Sequence, residues 1–180
     1  VVWITTDAFR PFPSSAVHAF CHALPGLWHQ MGVTLSAAAC LSWWAAIVGR
    51  SEGELLAELN EITRPSAATF LPYLAGERTP HNDASLRGRF CDLSASAGRQ
   101  DLTQAVLEGV AFALRDCADA LRAGGGALTH AIVIGGGSRS RAWTKILANV
   151  LGIPLHRLPD GERGAAFGAA RLAAAPMTPP

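Results

Sequence analysis

Ala131-Ile132-Val133-Ile134-Gly135-Gly136-Gly137-Ser138-Arg139-Ser140 is the stretch on which the fold turns. A short β-branched run ends, three glycines turn the chain, and a helical pattern opens behind them. That pattern runs from Arg141 to Leu151, with Trp143, Ile146, Leu147 and Val150 on one face. In open α/β sheets, ligands bind at the carboxyl ends of strands, where such strand–turn–helix units sit. Glycine there lets the backbone approach a flat or anionic ligand. The helix start adds free N–H groups and a partial positive charge. The stretch is not the dinucleotide pattern GxGxxG, and it lacks the Lys-Ser/Thr of a phosphate-binding P-loop. A plain turn needs one glycine rather than three, so ligand contact is the better reading, with the plain turn still open.

Working outward, the residues before this stretch predict a long helix over Asp101–Arg122. Leu102, Val106, Val110, Leu114, Cys117 and Leu121 repeat at helical spacing, and Gly124-Gly125-Gly126 ends the run. A strand follows at His130–Ile134. Beyond Gly152 the pattern predicts a strand at Leu155–Leu158 and a small-residue helix at Gly164–Ala175, able to pack closely on a neighbour. Helix, strand, helix, strand, helix argues for an α/β layer with parallel strands and right-handed crossovers.

Nearer the N-terminus, Val1–Thr6 reads as a strand, and Pro11 and Pro13 make a loop. Residues 16–33 suit strands interrupted at Pro25-Gly26. A helix rich in Ala and Trp is expected over Leu35–Val48, ending at Gly49, and a second over Ser51–Ile62 with Ser51 as its cap. Small residues at Ser36-Ala37-Ala38-Ala39 would let a helix start meet a phosphate; on the residues alone, a close-packed helix start is the simpler reading. Residues 63–99 hold Pro65, Pro72, Gly76, Pro80, Gly88 and Gly98 with one strand-like piece at Thr69–Leu74. So long a loop-rich insertion in one domain is usually functional or mobile.

The chain has 180 residues, 49% hydrophobic and 16% charged, with a net charge of +1. That suits one domain with a sizeable core and excludes a disordered chain. No basic stripe supports nucleic-acid binding. No apolar run reaches the roughly 18 residues of a membrane span. Val1-Val2-Trp3-Ile4-Thr5-Thr6 lacks the pattern of a signal peptide. Cys21, Cys40, Cys91 and Cys117 form no CxxC pair, which suits reduced core thiols in a cytoplasmic protein. No Met opens the chain, and it begins inside a strand-like run, so it reads as cut within a hairpin.

Other clusters are read as structural. His18, His22 and His29 invite a metal, but Pro25-Gly26 breaks any helix that would align them. Asp116 and Asp119 are flanked by Arg115 and Arg122, which makes a solvated face. Trp43 and Trp44 are read as packing residues rather than a stacking platform.

Several segments together resemble the FGGY family of carbohydrate kinases, its xylulokinase branch in particular. They are residues 16–25 (AVHAFCHALP), residues 70–82 (FLPYLAGERTPHN), Val106-Leu107-Glu108-Gly109-Val110, Ile134–Ser140, and Phe167-Gly168-Ala169-Ala170. They follow the family's order over nearly the whole chain, and the GERTPH stretch is the most specific. The resemblance implies a ribonuclease H/actin-like ATPase fold, of which residues 1–180 would be the C-terminal, nucleotide-side lobe, incomplete at its N-terminal hairpin. It implies ATP with Mg²⁺ and a ketopentose, D-xylulose, as substrates of the intact protein. Gly136 and Gly137 match adenine-side glycines, Ser140 and Arg141 lie where the family closes over adenine or ribose, and Ala38 and Ser42 match the helix that approaches the phosphates. Glu77, Arg78 and Thr79 lie in the segment the family places near the interlobe cleft, with a structural role favoured. No catalytic residue or metal ligand is assigned within the chain: the general-base aspartate and metal contacts belong to the family's N-terminal lobe. The chain alone is therefore expected to be inactive. The rival reading is a degenerate, non-catalytic module with weak or no nucleotide binding. An exposed half-cleft would also favour a homodimer.

Overall fold

The structure, a computed structural model, describes residues 1–59, 62, 64–159 and 164–174. Strand β1 (Val2–Thr6) is an edge strand on β3 (Trp28–Gly32), whose other side pairs with β2 (His18–Cys21), all antiparallel. Pleat alternation decides the faces. Ile4 and its cross-strand partner Gln30 point inward, while Trp3 and Thr5 remain exposed. The interruption at Pro25-Gly26 becomes the β2–β3 turn, with Gly26 at φ +74°.

Helix α1 spans Ala38–Val48 and stops at Gly49, which adopts φ +65°. It does not begin at Leu35 as the periodicity suggested. Ala37 sits at φ −119° and ψ −105°, outside the helical region, and the turn before it is held elsewhere, with the Val33 and Leu35 N–H groups donating to Thr79 and Glu77. Helix α2 (Glu52–Glu58) carries a capping box in which Ser51 and Glu54 satisfy each other's backbone donors. It is shorter than the expected Ser51–Ile62, closing at Leu59; Asn60 and Glu61 lie outside the described residues.

Strand β4 covers only Thr69–Leu71, because Pro72 cannot continue the ladder, and it pairs antiparallel with β5 (Arg89–Cys91), which has no clear alternation in the sequence. Phe70 and Phe90 oppose each other with ring centroids 4.7 Å apart. Trp43 stacks on Phe70 and Trp44 meets Phe90 edge-on, so both tryptophans are core residues.

Helix α3 (Arg99–Ala123) is the spine of the molecule. Val106, Leu107, Val110 and Ala111 bury one stretch against α1, β4 and Trp143, and Ala120 and Leu121 bury its end against Ile4 of the first sheet and Val17 just before β2. Strand β6 (Ala131–Val133), helix α4 (Arg141–Leu151) and strand β7 (Leu155–Arg157) complete a β-α-β unit whose strands are parallel. The expected parallel layer is confined to this pair; the other described strands are antiparallel. Helix α5 (Gly164–Ala174) buries none of its described side chains, so the close packing expected of its small residues is not seen; Ala175 lies outside the described residues.

The four cysteines divide. Cys40 and Cys117 are fully buried, Cys91 is half-buried, and Cys21 is exposed on β2, contrary to a core role for all four. No described helix is long and apolar enough to cross a membrane.

Candidate functional site

The glycine turn has a separate physical reason at each position. Gly135 sits at φ +88° and ψ 178°, a region closed to residues with a side chain. Gly136 opens a 3-10 turn (Gly136–Arg139), and a Cβ there would meet only the end of the Arg139 side chain, at 3.6 Å. Gly137 lies flat against the buried indole of Trp143. Ser138 locks the turn by donating its hydroxyl to the Gly135 carbonyl at 2.7 Å. Ser140 caps α4: its Oγ accepts from the Trp143 N–H at 3.2 Å, and its carbonyl accepts from the Thr144 hydroxyl at 3.0 Å.

Across from this turn stand the first turn of α1 and one face of α2. Between them runs an open cleft of about 1350 Å³. One wall presents Gly136, Gly137, Ser140 and Arg141; the other presents Ala38, Leu41, Glu52, Gly53 and Leu56. Arg139, Arg141, Lys145 and Arg157 give the first wall four cationic side chains, against Glu52 on the second. Arg157 also donates to the Arg139 carbonyl at 3.2 Å, tying β7 to the turn. The first turn of α1 has no side-chain cap and no acidic residue, so its leading N–H groups keep their partial positive charge. The arrangement combines an apolar floor, a flat glycine surface and an electropositive rim. It suits a ligand with a planar body and an anionic tail.

Of the residues the sequence singled out, Ala38, Gly136, Gly137, Ser140 and Arg141 share this cleft. Ser42 does not line it. Its hydroxyl is spent on the Glu52 carboxylate at 2.5 Å, one turn further along α1. Sequence reasoning missed the α2 wall and the cations Lys145 and Arg157. The Ser51–Glu54 capping box, directly after Gly49, was the available signal that a second helix folds back beside α1.

Glu77 and Thr79 are buried and bonded to the chain before α1. His22 meets His29 edge-on at 6.1 Å and His18 lies beside Phe20 on the first sheet; among the described residues no group of three metal-ligating side chains is found. Asp119 is held by Arg115 and Arg122 at 2.8 and 2.7 Å, which keeps its carboxyl below the usual range against the opposing effect of partial burial. Burial pushes Asp116 the other way, with the nearby His81 opposing.

The model of the FGGY family of carbohydrate kinases, C-terminal domain, matches residues 4–177. The chain is similar to the xylulose kinase of Escherichia coli (strain K12), with 45% identity over 175 residues that cover 96% of this chain and 36% of that protein. The xylulose kinase of Klebsiella pneumoniae is 43% identical over the same shares of the two chains. Among solved structures, a xyloylose kinase from Brucella ovis superposes with a TM-score of 0.91 and 54% identity, covering 96% of this chain and 36% of that one. The chain thus spans 36% of the length of these two curated relatives.

Proposed function

The chain belongs to the FGGY family of carbohydrate kinases, as its C-terminal domain with that family's α/β, actin-like fold, and from that premise we propose that it is the nucleotide-binding part of a kinase that moves the γ-phosphoryl group of Mg-ATP to a ketopentose, D-xylulose. The observation that carries the nucleotide reading is the cleft itself. It sets the uncapped start of α1 at Ala38 opposite Gly136, Gly137 and Arg141, from a segment about a hundred residues away in the chain. Adenine lies against the glycine surface, Ser140 and Arg141 flank the ribose side, and the phosphates point to α1. The basic rim supplies the field that draws a polyphosphate in.

Among the described lining residues Glu52 is the single carboxylate, so these residues fit Mg²⁺ as the nucleotide's own ion rather than as a metal held by the protein. When bound, that ion neutralises charge on the phosphates during transfer. The choice of xylulose follows the names of the two bacterial relatives at 45% and 43% identity. The residues that bind the sugar and take its proton are assigned to the part of those relatives this chain does not span.

Thermal unfolding with and without ATP tests the proposal, because a ligand that binds only the folded chain raises its stability as RT ln(1 + [L]/Kd). An upward shift at millimolar ATP is expected, abolished in Gly136→Trp, which fills the cleft at a glycine with open space beside it. No shift at any ATP concentration overturns nucleotide binding. The 180 residues alone are expected to bind ATP without phosphorylating xylulose; turnover by them would overturn the assignment of the proton acceptor elsewhere.

A further inference from the structure

We propose that Glu77 is a positioning residue for the phosphate end of the cleft: its buried carboxylate, together with the Thr79 hydroxyl, holds the turn from which α1 starts. The inference rests on the nucleotide reading above. Glu77 is 2% exposed and Thr79 1% exposed, although both lie in the loop-rich segment. Glu77 Oε1 accepts from the Leu35 N–H at 2.9 Å and from the Arg78 N–H at 2.7 Å. Thr79 Oγ1 accepts from the Val33 N–H at 3.0 Å and donates to the Ala16 carbonyl at 2.9 Å, and the Thr79 N–H donates to the Val33 carbonyl at 3.0 Å. The turn before α1 is therefore gripped at Val33 and again at Leu35.

The grip has a firm base. Glu77 and Asp83 exchange two backbone hydrogen bonds of 2.9 Å, which close the segment on itself. The Thr79 carbonyl lies 3.6 Å from the thiol of Cys117 on α3. Through these contacts the spine helix sets where α1 begins. Ala37, between the gripped turn and the helix, sits at φ −119° and ψ −105°, outside the helical region, so α1 starts at Ala38 and its free N–H groups are presented on the cleft wall.

A carboxylate is a costly way to fill this space. Its second oxygen, Oε2, is buried without a hydrogen-bond partner, as is Thr34 Oγ1 beside the gripped turn. Apolar side chains would supply stability at lower cost. What the carboxylate adds is directed acceptance of two N–H groups on separate pieces of chain. That directedness orients a helix start, and orienting a binding group is worth more in affinity than in stability.

The experiment measures the affinity of the chain for ATP and for adenosine by calorimetry, in wild type, Glu77→Ala and Glu77→Gln. Gln keeps a carbonyl oxygen for both N–H groups. Glu77→Ala is expected to lose about tenfold in ATP affinity while adenosine changes less than about twofold, and Glu77→Gln is expected to match wild type. Equal loss for both ligands, or loss for neither, overturns the proposal. Amide hydrogen exchange at Leu35 and Ala38–Leu41 is expected to quicken in Glu77→Ala, and unchanged exchange overturns it even if no nucleotide binds. Absence of binding by wild type overturns the nucleotide reading instead. Should Glu77→Ala not fold, Thr79→Val removes a neighbouring grip and is expected to show the same ATP-only loss, with adenosine loss again the refuting result.

Discussion

Gly137 and Trp143 are in such close contact that a Cβ on the glycine would stand 3.1 Å from Cζ3 and 3.2 Å from Cε3 of the indole. The ring is buried in the core cluster that includes Val106, Leu107 and Val110 of α3. The turn's glycines thus serve packing and backbone conformation as well as the cleft wall, which Gly136 and Gly137 both line.

Alanine at each glycine of the turn separates these roles. Gly137→Ala is expected to cost about 1–2 kcal/mol through overpacking against Trp143. Gly135→Ala is expected to cost about 1–3 kcal/mol, because φ +88° with extended ψ strains any side-chain residue. Gly136→Ala should change stability by less than about 0.5 kcal/mol. Urea denaturation of the three variants checks the order, and a destabilised Gly136→Ala would refute the open space assigned to it.

Helix α3 crosses β4 at Gly109, where an added Cβ would run into the Phe70 carbonyl oxygen. The atoms met first are backbone, so no flexible side chain can yield. Gly109→Ala is therefore expected to lose about 3 kcal/mol or more, the upper end for overpacking. A melting curve as steep and as high as wild type would show that α3 can shift along its axis.

Burial pushes the thiols of Cys40 and Cys117 up to about 12 from an ordinary 9, the nearby Glu77 carboxylate adding to the effect at both. Between those values the unfolded chain has released protons that the folded chain still holds. Their contribution to stability is thus complete below pH 9 and falls as pH rises from 9 towards 12. Thiol labelling at about pH 8 should modify Cys21 first and Cys91 more slowly, sparing Cys40 and Cys117 until the chain unfolds. Fast labelling of all four in the native chain would contradict the buried positions.

How much of the molecule was legible in the sequence varies with how local the cause is. Helix α4 appears with the limits its pattern predicts, Arg141–Leu151, because Ser140 caps it and Gly152 ends it within the same few residues. Helix α3 matches its apolar spacing to within two residues at its start and one at its end. Helix α1 starts three residues later than expected, after a non-helical Ala37 and a turn held by partners some 42 to 46 residues away. Strand β5 was invisible, since Arg89-Phe90-Cys91 becomes a strand only by pairing with Thr69-Phe70-Leu71.

The cleft divides in the same way. Periodicity and punctuation were enough to locate the glycine turn and the α/β class, and the resemblance carried by the motifs pointed to the family and to six site candidates, five of which line the cleft. The glycine turn and the α/β class follow from short-range chemistry written along the chain. Ser42 facing Glu52, the α2 wall, the cations on α4 and β7, and the burial of Glu77 and Thr79 came from the assembled molecule. Each depends on which distant segments meet. That is settled by packing around α3 and by the need to satisfy buried polar groups, and neither leaves a periodic trace in sequence.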